Sequence, residues 1–329
     1  MKNIIKLFFL VFIIIPAGCH FSADESVDIS DIQLEKIHIK RYGRDLFDID
    51  PDKVGQGLSV LAKEYSFFLG DNYMDTLSII QIRDYISDPF LYEIAAYSKS
   101  IYPNLEDVET QLTDALKYYL HYFPDGQVPD YYSYISGIDF EHPVQYLDTV
   151  MIIAIDDYLG REFIPYKRLR IPKYQSRRMQ KAYMVPDCMR EVARVKHLPA
   201  YAGEKLIDHM IHGGKILYFL DKVLPSAADS LKIGFTGKQL EWCDENAVNL
   251  WAFLVENELL YTVDFQKINK LIHDGPFTSF FDQESPARTG IWVGWQIVKS
   301  YMDRSNISLQ ELMEEKEAVD ILSQSGYRP

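Results

Sequence analysis

Apolar positions along the chain recur mostly at helical spacing, and one middle stretch departs from it. Residues 54–69 place Leu58, Leu61, Ala62, Tyr65, Phe68 and Leu69 three or four apart, as one buried helix face requires. Asp50-Pro51-Asp52 precedes them as a cap with proline in the first turn. Residues 75–97 predict two short helices parted at Asp88-Pro89. Leu105, Val108, Leu112, Ala115, Leu116, Tyr119 and Leu120 predict a helix over 105–123. Upstream, Ile32, Leu34, Ile37 and Ile39 alternate with polar residues and predict an edge strand within 32–44. VPDYYSYISG and QYLDTVMIIAIDDYLG, rich in Tyr, Ile and Val, predict adjacent strands. Met151–Ile155 is apolar throughout, which predicts a central strand covered on both faces. Helical spacing then returns over 176–197, 203–223, 236–257, 264–272, 288–304 and 308–323. The last of these opens on the capping box Ser308-Leu-Gln-Glu311. Helices around a small central sheet make an α+β, mostly helical fold, with no repeat and no low-complexity segment.

The first residues follow other rules. Lys2 and Lys6 precede an apolar run, Leu7 to Ile15, of signal-peptide length. Pro16-Ala17-Gly18-Cys19 resembles a lipobox, in which Cys19 is acylated and becomes the new N-terminus, although Pro16 departs from the usual Leu-type residue. The plain alternative is a secretory signal with a chance cysteine. Residues 1–18 thus predict a signal peptide and 19–30 a solvated tether, leaving 31–329 as one domain. The change of texture near 125 marks where a sub-boundary would fall. A formal net charge of −14 disfavours nucleic acid or anionic lipid as the main partner. Besides Cys19 only Cys188 and Cys243 remain, a candidate disulfide in an oxidising envelope or else two buried thiols.

Candidate chemistry is sparse. In VPDCMREVAR, Arg190-Glu191-Val192-Ala193-Arg194 has the spacing of HExxH with arginine at both histidine places. Guanidinium groups only donate and stay protonated, so this helix would not bind zinc. It is either an amphipathic helix, with Cys188, Met189, Val192 and Ala193 inward and both arginines solvated, or a vestigial cleft whose arginines hold an anion. In GEKLIDHMIHGGKILYFLDKVLP, Asp208, His209 and His212 have spacings that offer two ligands to one metal, and Gly213-Gly214 permits close backbone approach. A solvated polar face is the alternative. In ESPARTGIWVGWQIVKSYM, Gly290 and Gly294 flank Trp292. Arg288, Trp292 and Trp295 there form a candidate partner or ligand groove, against a tightly packed core helix. GxSxG, P-loop, GxGxxG and CxxC motifs are missing, so no catalytic residue is assigned.

The segments LIDHMIHGGKILYFLDKVLP, IGFTGKQLEWCDENAVNLWAFLVENELLY and ESPARTGIWVGWQIVKSYM resemble the gliding-motility lipoprotein GldB family, in the same order and behind a lipoprotein signal. The resemblance implies a lipid-anchored protein of the cell envelope, with the outer membrane favoured. The family is also distantly similar to HExxH zinc peptidases, which implies a degenerate zincin-like scaffold. Arg190, Glu191, Arg194 and Gly213-Gly214 would then lie where the metal site was, and only Glu191 would survive. The expectation is a non-catalytic protein without cofactor that binds components of a motility or secretion machinery. Two rivals stand beside it: an envelope metal-dependent hydrolase using Asp208, His209 and His212, and a small-molecule binder using the tryptophan helix.

Overall fold

The computed structural model describes residues 27–200 and 202–329. The predicted signal peptide, Cys19 and most of the tether lie outside the described residues. Four strands form one mixed sheet in the order β1-β2-β4-β3. They are β1 (Ile39–Lys40), β2 (Asp130–Tyr134), β3 (Val144–Leu147) and β4 (Val150–Ala154). β4 pairs in parallel with β2 and antiparallel with β3, so it is central, and all five of its residues are buried. The uninterrupted apolar run VMIIA suits a strand with both faces covered. The α+β expectation is met.

Several predicted elements are shorter than expected, each for a local reason. Only Ile39 and Lys40 of residues 32–44 join the sheet. The Ile37 and Ile39 amides instead donate to Thr113 Oγ1 (3.0 Å) and Glu109 Oε1 (2.9 Å) on the helix Glu106–Tyr122. The expected 54–69 helix is two, Val54–Leu61 and Ser66–Leu69. The expected 176–197 helix starts at Met184, which leaves Pro186 in the first turn, where its missing N–H costs no internal bond. It ends in a π turn, Ala193–His197. The 236–257 helix divides at Asn246, whose side-chain amide donates to the Trp242 carbonyl at 2.9 Å. The 308–323 helix divides where Glu315 Oε1 accepts from the Lys316 and Glu317 amides. The break at Asp88-Pro89 is as expected, with Asp88 capping the helix Pro89–Ile101.

The helical half is organised by one crossing, between Leu206–Val223 and Thr289–Arg304. A methyl built on Gly294 would stand 1.9 Å from the Met210 carbonyl oxygen, and one on Gly214 would stand 2.4 Å from the Gly294 carbonyl oxygen. The two backbones therefore touch. Gly213 meets Ile291 on the same crossing, while Gly290 meets Leu271 of a third helix, Phe265–Ile272. Trp292 and Trp295 are buried beside it, and Trp295 Nε1 donates to Asp221 Oδ2 at 2.8 Å. These indoles are core, not the walls of a groove, which corrects one expectation for Arg288, Trp292 and Trp295.

Cys188 and Cys243 are both free and buried, so the candidate disulfide is absent and the two-thiol alternative holds. Burial pushes both thiols up, Cys243 beyond the usual thiol range. Neither should react with a maleimide in native protein, and both should label after denaturation without reductant. Labelling only after reduction, read by intact mass, would contradict the structure.

Candidate functional site

A cleft of about 520 Å³ lies between the edge strand β3 and the helix Met184–Val192. That volume suits a small ligand or a few residues of a peptide. Its floor comes from the end of β4. The chain leaves that strand into the short 3-10 turn Ile155–Tyr158, which carries two buried aspartates. Asp156 turns away and accepts from the Ser136 amide, the Ser136 hydroxyl and the Ile138 amide (2.7–3.1 Å). Asp157 lines the cleft, is 1 % exposed, and neither of its oxygens has a hydrogen-bond partner. Burial, then Asp156, Asp139 and Asp187, push its carboxyl up to about 9. Of the adjacent pair, burial raises Asp156 but its donors oppose the rise, while Asp157 has no donors and is a neutral acid at pH 7. Tyr158, the next residue, donates to Asp187 Oδ2 at 2.9 Å.

The same cleft is rich in guanidinium. Arg190 donates to Asp187 Oδ1 at 3.0 Å and to the Lys232 carbonyl at 2.6 Å. Arg178 pairs with Asp274 and also lines the cleft. Arg288 holds a left-handed backbone conformation (φ 59°) just before the helix Thr289–Arg304 and donates to the Ile233 carbonyl. Its Nε is buried without a partner. Burial pulls Arg288 down to about 9; Arg178 lowers it further, Asp274 opposes, and Arg190 and Arg177 add to the fall. Gly234 (φ 76°) sits among these groups, and a methyl on it would lie 2.8 Å from Arg178 Cδ and 3.2 Å from Arg288 Nη2.

The sequence-predicted residues divide. Arg190, Glu191 and Arg194 line this cleft together. Arg190 is half-buried, not solvated, because the Asp187 carboxylate and a backbone carbonyl replace its water. Arg194 donates to both Glu191 oxygens, at 2.9 and 2.6 Å. Asp208, His209, His212, Gly213 and Gly214 are not among the cleft-lining residues. Asp208 accepts from the Lys205 amide at the start of its own helix (3.0 Å), and burial lowers both His209 and His212. The glycines belong to the helix crossing, Gly214 against the Gly294 backbone and Gly213 against the Ile291 side chain. Among the described residues no three His, Cys, Asp or Glu side chains are placed to hold a metal ion. This corrects both the wider cleft and the Asp208, His209, His212 ligand set.

Asp157, Tyr158, Asp187, Arg178 and Gly234 are cleft residues that the sequence reading missed. One signal was available: Asp156-Asp157 directly follows an apolar run, and acids at the end of a buried strand must be paired or neutral. The others carry no local mark.

A family model for gliding motility protein GldB matches residues 22–329. No curated protein and no solved structure matches the chain.

Proposed function

This chain belongs to the gliding motility protein GldB family, and we propose that it works there as a lipid-anchored, non-catalytic binding protein of the cell envelope. It would dock components of a motility or secretion machinery at the cleft between β3 and the helix Met184–Val192. The observation that carries the reading is the state of Glu191: both of its oxygens are held by Arg194, and Arg190 is committed to Asp187 and a carbonyl. A hydrolytic site needs a free base or a metal-bound water, and two guanidiniums one turn apart repel a cation. The lipobox-like Pro16-Ala17-Gly18-Cys19 supports the anchor, and no helix among the described residues is long and apolar enough to cross a membrane. Two acyl signals suffice for stable attachment.

Protein purified without added metal should carry far less than one equivalent of zinc or any other transition metal by elemental analysis. It should leave a mixed peptide substrate intact. Stoichiometric metal that is lost in His212→Ala, or cleavage that is lost in Glu191→Gln, would overturn the non-catalytic reading. Cys19→Ala should move the protein from the membrane pellet to the soluble fraction. Its retention in the pellet would refute the lipid anchor.

A further inference from the structure

The arginine cluster of the cleft has features that packing alone does not explain. Four guanidiniums, Arg177, Arg178, Arg190 and Arg288, influence one another there, against the carboxylates Asp187 and Asp274. Like charges crowded in a partly desolvated place are costly, and Asp187, Asp274 and the Lys232, Ile233 and Gly234 carbonyls offset part of that cost. The backbone is shaped to permit the crowding. Gly234 has a positive φ and leaves free the space that a Cβ would take from Arg178 and Arg288. Arg288 itself adopts the left-handed region, which non-glycine residues enter at a cost and which recurs at functional sites. Its side chain is only 18 % exposed, and its Nε lies 3.7 Å from Asp274 Oδ1, too far for a hydrogen bond. A donor left over and guanidiniums drawn together over a glycine both fit an oxyanion.

We propose that Arg178, Arg190 and Arg288, gathered around Gly234, form an oxyanion site that takes the carboxylates of an acidic segment of the bound partner. Guanidinium forks match carboxylates in pairs of hydrogen bonds, and the surplus charge suits two acidic side chains near one another. Asp157, uncharged in the same cleft, adds no repulsion to an incoming acid. The inference rests on the cleft being a binding site, and it names the chemistry that the site selects.

The test is titration of full-length protein with an N-acetylated, C-amidated tetra-glutamate peptide, with the tetra-glutamine peptide and inorganic phosphate as separate arms. The acidic peptide should bind, weaken as salt rises, and lose about tenfold or more in Arg288→Lys, which keeps the charge but not the fork. Gly234→Ala should give a similar loss with all arginines present, and thermal melts establish that both variants are folded. Equal binding of the glutamine peptide, unchanged affinity in folded Arg288→Lys and Gly234→Ala, or binding of phosphate alone would each overturn the proposal. Those outcomes leave the metal and hydrolysis measurements untouched, so failure here is distinct from failure of the non-catalytic reading.

Discussion

Gly294→Ala should yield a chain that does not fold. A methyl at this position would stand 1.9 Å from the Met210 carbonyl oxygen and 2.4 Å from its carbon. The obstacle is main chain inside the Leu206–Val223 helix, so no rotamer change relieves it. The two helices would have to separate, and Trp292, Val293, Trp295, Ile297 and Val298 pack along that contact, each no more than 2 % exposed. Ordinary overpacking costs about 1–3 kcal/mol. Parting two helices adds lost burial on both, which brings the total to the size of a domain's whole stability, roughly 5–15 kcal/mol. Expression in inclusion bodies, or soluble protein with no cooperative melt, is the expected result. Gly55→Ala is the control, since a methyl there meets nothing closer than 3.6 Å inside a helix. That change should be neutral or stabilise by up to about 1 kcal/mol. A cooperative melt for Gly294→Ala within a few degrees of wild type would show that the helices do not cross backbone to backbone.

The second large effect is a pH-dependent reversal for Asp157→Asn. Asp157 is held near 9 when folded, against 3.8 for a free aspartate. Between those values the folded chain keeps a proton that the unfolded chain has released. Wild-type stability from this group is therefore full below about pH 4 and is lost as pH rises towards 9. At pH 7 the loss has an upper bound of about 4 kcal/mol, taking 1.36 kcal/mol per unit. Asparagine has no such slope but leaves a buried amide unpartnered, at about 1–3 kcal/mol. The variant should thus melt a few degrees higher than wild type at pH 8 and no higher, or lower, at pH 4.5. Parallel Tm curves for the two proteins across that range would mean that Asp157 is ionised in the fold and has partners not seen here.

Read from the chain alone, the fold class, most helices and the central strand follow from short-range rules. Apolar spacing, the Asp88 and Ser308 caps and the VMIIA run each concern residues within a few positions of one another. The same rules overran at Asn246 and Glu315, where a side chain competes for backbone groups inside an otherwise helical pattern. They also overran at 32–44, where backbone donors found side chains of a distant helix. Arg190, Glu191 and Arg194 were legible as a suspect cluster because HExxH spacing lies within one turn and a half of helix.

What the sequence determined by itself is the family, the helical character and the suspicion attached to that one helix. Tertiary structure alone decided that Gly213, Gly214 and Gly294 serve one crossing and Gly290 another contact, and that Asp208, His209 and His212 stand apart from the cleft. It also brought residues 157, 178, 187, 234 and 288 to one place. The reason is range: periodicity and capping are set by neighbours along the chain, whereas a guanidinium's charge balance depends on groups a hundred residues away that only packing puts within reach.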